Sequence, residues 1–322
     1  MDHTSVQSES RIAHFPIMFF AVVMGFGGIS VAYFKAHEIL GIPLLVFEGL
    51  RALTSLLFLV VFSLYAMKFL THRAGAKKEF SHPIRINFFA AFSIALLLLA
   101  ILWRGVPSLG GSLFWLGAGV HTFLTFYTVS FWINNNFEIT HSNPAWFIPI
   151  VGNLIVPVAG DGMASATFLG YYFAIGIFFW VVLFTVVFYR IIFHNQLPQK
   201  FMPTLFIFIA PPAVGFLAYL KVGGGFDLFA QFLLNLALFF AFLLLFMYKN
   251  FMKLQFFISW WAFTFPMAAL TIALLVAYEK SHEAVYLHLG ELFLLFATLL
   301  VAGVSVKTLR HIYKREICVI EE

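Results

Sequence analysis

Very few side chains in this chain could do chemistry, and their spacing argues against catalysis. Glu48 and Arg51 stand three apart, the spacing at which two side chains meet on one helix face, so they read as an ion pair. His121 stands alone in an apolar stretch and reads as a packed, hydrogen-bonded histidine rather than a ligand. Glu291 lies at the edge of a hydrophobic run, an interfacial position. The single cysteine, Cys318, supports neither a disulfide framework nor a cysteine-rich metal site. There is no HExxH, no paired carboxylates, no His/Cys cluster and no GxxxxGK phosphate loop. Catalysis and ATP-driven pumping are disfavoured, and no cofactor or metal is expected.

The residues that do carry a signal act through the backbone. Pro149 and Pro157, Pro211 and Pro212, and Pro266 all lie inside hydrophobic stretches. Proline removes a backbone donor and clashes with the preceding turn. In a bilayer such a break is tolerated only where protein, water or a cavity takes up the freed carbonyls. Gly152 and Asn153 stand between two of these prolines, and Gly25, Gly27 and Gly28 loosen the first stretch. Proline and glycine are also commoner in membrane helices generally, so each alone is a weak sign of a binding path.

These breaks must be carried by membrane helices. The chain has 322 residues, 62% hydrophobic and 10% charged, with a mean hydropathy of +0.96. Repeated apolar runs of about 20 residues have the length of a bilayer-spanning helix, and are too long and uniform for an outer-membrane barrel. Ten spans are expected, at 16–36, 42–69, 84–104, 109–133, 144–161, 166–193, 202–220, 227–248, 256–279 and 285–309. Residues 1–15 and 310–322 form polar tails around this single transmembrane domain, and no cleavable leader is apparent. The five interior prolines fall only in spans 5, 7 and 9. That alternation suggests five two-helix units, the odd member lining an axis and the even member packed outside it.

Ten spans put both termini on one side. That side carries fourteen Lys and Arg, from Arg11, Lys68 and Arg85 through Arg190 to Arg315, against Lys35, Arg104, Lys221 and Lys280 on the other. The positive-inside rule places both tails in the cytoplasm. It also accounts for the net charge of +5 without nucleic acid as a partner.

With few intramembrane acids to carry protons, an anion path is the simpler reading. Hydroxyls such as Ser30 and Thr264 are candidate donors to a passing anion. His82 and Arg85 either concentrate anions at a cytoplasmic mouth or serve only as topology markers. Phenylalanine accounts for 44 residues, so most must face lipid or pack. Phe265 differs because it immediately precedes Pro266. A ring there either closes a narrow path by dewetting or packs in a core.

The stretches FPIMFFAVVMGFGG, HPIRINFF, HSNPAWFIPIVGN, FIAPPAVGFLAY and WWAFTFP, in this order, resemble one family across residues 14–310. It contains the bacterial tellurite-resistance protein TehA, the plant guard-cell slow anion channel and the C4-dicarboxylate and sulfite transporters. The resemblance implies an all-α membrane protein with ten transmembrane helices as five quasi-symmetric helical hairpins. The odd-numbered helices line a central pore in each protomer of a homotrimer. It implies a gate formed by Phe265 with Pro266, and a pore wall or helix breaks at Met18, Ala21, Gly25, Pro149, Gly152, Asn153, Pro157, Pro211 and Pro212. The implied partners are small anions and membrane lipid, in a bacterial inner membrane. Passive conduction of chloride- or nitrate-like anions is the leading expectation; export of sulfite or carriage of malate-like dicarboxylates is the alternative. Met18 and Ala21 stand where TehA-like relatives carry glycine, and Pro266 matches the plant-like members, so selectivity does not transfer with the fold.

Overall fold

The structure is a computed structural model that describes residues 11–318. Among the described residues nine helices are long and apolar enough to cross a membrane, and Pro144–Gly160 is a shorter apolar one. Taken together they give helix 1 (Ile17–Leu40), helix 2 (Leu44–Thr71), helix 3 (Arg85–Leu102), helix 4 (Pro107–Asn134) and helix 5 (Pro144–Gly160). Helix 6 (Ala166–Phe193), helix 7 (Gln199–Lys221), helix 8 (Leu228–Phe246), helix 9 (Ile258–Ser281) and helix 10 (Ala284–Tyr313) follow. The boundaries agree with the expected spans to within a few residues, except that helix 10 runs on into the expected tail. Two short helices, Arg73–Phe80 and Tyr248–Met252, lie between spans.

Each odd helix packs on the even helix that follows it, which gives five hairpins. Helix 1 also packs on helix 3, 3 on 5, 5 on 7 and 7 on 9, and helix 9 closes on helix 1. The odd helices thus form a closed inner ring. Burial agrees with this: 67% to 89% of the best apolar window is buried in helices 1, 3, 7 and 9, against 22% to 44% in the even helices. An apolar helix buried all round belongs inside a bundle, whereas lipid can cover one that is apolar but exposed.

A second feature separates the two sets. All five odd helices begin as 3-10 helix and pass directly into α-helix. The 3-10 segments are Ile17–Phe19, Arg85–Phe89, Pro144–Phe147, Gln199–Ile209 and Ile258–Phe263. The α segments begin at Phe20, Ala90, Ile148, Ala210 and Thr264. The even helices are α-helical from end to end. Pro149, Pro211 and Pro212, and Pro266 all fall in the first turn after the join. There the bonding pattern changes from three residues back to four, so a missing donor costs least. The greater rise of 3-10 helix also lets the short helix 5 cross: 4 residues of 3-10 and 13 of α span ~28 Å, close to the hydrocarbon thickness.

The end of the bundle that carries the termini is tied by buried charge. Lys68 and Glu79 pair at 2.6 Å with side chains 5% and 2% exposed. Lys68 also donates to the Phe15 carbonyl at 2.9 Å, and Glu79 accepts from the Ile17 N–H at 2.9 Å and the Tyr65 hydroxyl at 3.2 Å. The pair therefore joins helix 2 and the Arg73–Phe80 helix to the first donor of helix 1. Arg11 donates to the Arg315 carbonyl at 2.8 Å, which brings the two described ends of the chain together.

Candidate functional site

The inner ring encloses a cavity of about 50 Å³, room for a few water molecules at most. Its wall comes from all five odd helices and lies at their 3-10 to α joins. In the first turn beyond the join, helices 1, 3, 5 and 7 present Ala21, Ala91, Ile148 and Ala210 to the cavity; helix 9 presents Phe265. Four positions of the ring thus carry alanine or isoleucine and the fifth a phenyl ring. Phe265 is only 9% exposed. A Cβ on Gly28 would lie 3.1 Å from Phe265 Cδ2, so glycine there lets the ring lie against the backbone of helix 1.

Met18, Ala21, Gly152, Phe265 and Pro266 all line the cavity. Others from the same expectation do not. Gly25 faces helix 9, where an added Cβ would collide with Thr264 Oγ1; its role is close helix contact. Asn153 is buried, and its amide donates to Thr125 Oγ1 and to the carbonyls of Pro149 and Ile150, at 3.0–3.2 Å. Pro149, Pro211 and Pro212 mark the joins without lining the cavity, and Pro157 lies buried further along helix 5. Ser30 donates to the Phe26 carbonyl and pairs with Thr54, while Thr264 donates to the Trp261 carbonyl. Both hydroxyls are therefore engaged within the protein. His82 accepts through Nδ1 from the backbone N–H groups of Ile84 and Arg85 at 3.1 and 3.3 Å, so its ring caps the start of helix 3. Arg85 is half-buried in that first turn. Glu291 is exposed beside His288 near the start of helix 10.

Residues that sequence reasoning missed complete the wall. Met24, Phe88, Ile94, Phe147, Val151, Ile155, Ile207 and Ala262 make it apolar, and Ser259 and Trp261 are its polar-capable members. The Trp261 N–H is spent on Thr308 Oγ1 at 3.0 Å, and the Ser259 hydroxyl on the Lys200 carbonyl. Their signal was the join itself, which is legible only once the 3-10 segments are known. His121, on helix 4, reaches between helices 3 and 5 into space left by Gly152, where an added Cβ would collide with His121 Cε1. Its Nδ1 meets Ser93 Oγ at 2.8 Å. The Glu48–Arg51 pair forms, with the guanidinium 4.3 Å from the centre of the Trp103 ring, which fits a structural role.

All five inner helices point the same way, so their backbone dipoles add. Their positive N-terminal ends meet at the side of the termini, and their negative C-terminal ends at the other. At that other end Arg104 donates to the carbonyls of Val158 and Ala159 at 2.9 and 3.2 Å. Asp161 bridges Lys221 at 2.6 Å and Arg104 at 3.9 Å, and Lys35 bridges Glu38 and Glu279 at 2.9 Å each. The site is an apolar cavity at the joins of the five inner helices, with their N-terminal ends on one side of it and the paired charges at their C-terminal ends.

Comparison with known proteins gives an independent finding. The model of a family described as voltage-dependent anion channel matches residues 14–309. An S-type anion channel of Arabidopsis thaliana is 29% identical over 274 residues, 81% of this chain. The chain spans about half the length of such plant relatives, 43% and 52% for two of them. An uncharacterized transporter of Methanocaldococcus jannaschii is 28% identical over 337 residues, 96% of this chain and 98% of the relative. A tellurite resistance protein TehA homolog of Haemophilus influenzae is 26% identical over 259 residues, 79% of each chain.

Proposed function

Because this chain belongs to the voltage-dependent anion channel family, we propose that it is a passive channel for small monovalent anions, chloride- or nitrate-like. Its path runs along the axis of the five inner helices, and Phe265 closes it. The observation that supports this reading is the ring at the joins: in the first α-helical turn helices 1, 3, 5 and 7 line the cavity with Ala21, Ala91, Ile148 and Ala210, and helix 9 lines it with the phenyl ring of Phe265. A wall without free donors or carboxylates binds no anion tightly, as rapid passage requires. Water leaves such a narrow apolar neck readily, so a single ring suffices to stop ions. The tails lie in the cytoplasm of a bacterial inner membrane under this reading. The cation excess and the five helix N-termini then attract anions at the cytoplasmic mouth. Three protomers associate, each with its own path.

Coupled export of sulfite or a C4-dicarboxylate is the competing reading, and the absence of Asp and Glu from the described cavity wall weighs against proton coupling. Proteoliposomes loaded in turn with chloride, nitrate, sulfite or malate test the two. Channel action predicts chloride and nitrate flux that follows the membrane potential and is indifferent to a pH gradient. Saturable sulfite or malate flux that requires the gradient would overturn it.

A further inference from the structure

The surface that faces lipid is carried by the even helices, and where it is polar it is mostly self-satisfied. Thr185 of helix 6 donates to the Val181 carbonyl, Ser112 of helix 4 to Ser108 and Ser305 of helix 10 to Val301, at 2.7–3.0 Å. A hydroxyl four residues along a helix can always do this. Helix 8 breaks the pattern. It carries Gln231 and Asn235, one turn apart on one face. Gln231 is half-buried and Asn235 is exposed. Neither side chain makes a hydrogen bond within the described residues.

Depth makes this costly. Helix 8 is 19 residues long, ~28 Å, and Asn235 lies ~11 Å from its start. That is well inside the hydrocarbon, and an asparagine side chain is too short to reach an interface. Lipid tails offer it no partner, and an unpaired amide in an apolar medium is expensive. The two amides lie in an open groove of about 410 Å³ bordered by Leu228, Phe232, Leu236 and Phe239. Phe232 and Phe239 are 54% and 57% exposed, so none of the described residues covers it.

We propose that helix 8 is the surface through which copies of this chain pack, with Gln231 and Asn235 hydrogen-bonding to the neighbouring copy. A carboxamide is both donor and acceptor, so around a threefold axis each copy's amides can donate to the next copy and accept from the one before. Interhelical amide bonds are an established source of association between membrane helices. The groove admits a neighbouring side chain, and the aromatic rims exclude lipid from the bonds. This inference rests on the self-association proposed above but not on which ions pass.

Disulfide mapping tests it. In a Cys318→Ser background, which has no other cysteine, single substitutions Gln231→Cys and Asn235→Cys are compared with Leu56→Cys, Phe123→Cys, Phe178→Cys and Leu299→Cys. These four positions are 57–64% exposed on helices 2, 4, 6 and 10. After mild oxidation in liposomes the expected result is inter-copy crosslinking at 231 or 235, and not at the four others. Asn235→Leu, a change that lipid tolerates on a folded protomer, should weaken association about three- to twentyfold, read by subunit-exchange fluorescence. A stable oligomer that crosslinks only through another helix overturns the assignment and leaves the self-association intact. A single-protomer mass in nanodiscs overturns both. Unchanged association in Asn235→Leu overturns the role of the amide.

Discussion

Replacing Phe265 with alanine removes the phenyl ring that helix 9 contributes to the cavity wall in the first turn beyond its join. The ring is 9% exposed, so opening the path in the native protein means withdrawing a nearly buried phenyl group from its packing. Burial of such a side chain is worth about 1.5–3 kcal/mol. Since 1.36 kcal/mol is a factor of ten, removing that obstacle should raise steady chloride flux about ten- to 150-fold at fixed protein density. Stability falls in the same variant, by about 3 kcal/mol, the lower end for Phe→Ala, because one face of the ring already borders a cavity. Phe265→Leu should lie between the two proteins in flux. The assay is chloride efflux from proteoliposomes with valinomycin setting the potential, alongside a thermal melt showing that each variant is folded. Wild-type flux in a folded Phe265→Ala protein would refute the assignment of this ring as the closure.

Two further predictions concern what holds the ring in place. Glu79→Gln leaves the Lys68 ammonium buried and without its counter-charge, which should cost about 3–5 kcal/mol and lower the melting temperature; Lys68→Met combined with Glu79→Leu should recover much of the loss, and equal melting of wild type and Glu79→Gln would contradict the buried-pair account. At the opposite end, Asp227 accepts from the Tyr219 hydroxyl at 2.6 Å and from the Phe229 and Ala230 N–H groups at 3.0 Å, so it caps helix 8. The Tyr219 bond first, and the backbone bonds after it, hold its carboxyl below the ordinary value of 3.8. A carboxylate depressed in the folded state stabilises fully above its unfolded value and loses that contribution as pH falls through the folded value. The melting difference between wild type and Asp227→Ala should therefore shrink as pH drops below 3.8; a difference that grows on acidification would reverse the sign of the argument.

Hydropathy alone made the ten spans legible, because about 20 apolar residues in a row admit few other structures. The alternation of inner and outer helices was half legible. Prolines mark the joins in helices 5, 7 and 9, but helices 1 and 3 switch from 3-10 to α at Phe19 and Phe89 with no interior proline. There the nearest signs, Pro16 and Pro83, precede the 3-10 segment rather than the join. Phe265 stood out because it precedes Pro266. The alanines that make it distinctive, Ala91 and Ala210 among them, are too common in membrane helices to signal anything. Ser30 and Thr264 illustrate the reverse: a hydroxyl in a helix has its own carbonyl to bond, so its type says little about what it faces. The Lys68–Glu79 pair was illegible because its other partners, Phe15 and Ile17, lie 53 and 62 residues away. Arg190 counts among loop cations by sequence yet is 3% exposed at the end of helix 6.

The central claim is that anions travel along the axis of the inner ring past the joins. Ala91 lines that axis opposite the closure and is fully buried from the outer surface. A single cysteine placed there, as Ala91→Cys in a Phe265→Ala, Cys318→Ser protein, gives the axis one reactive handle. Current is recorded before and after a sulfonate-bearing thiol reagent, with mass spectrometry to show the extent of modification. Conduction along the axis predicts that the reagent reaches the introduced thiol in the opened protein and that current falls to the wild-type level. Undiminished current through fully modified protein would place the ion path elsewhere.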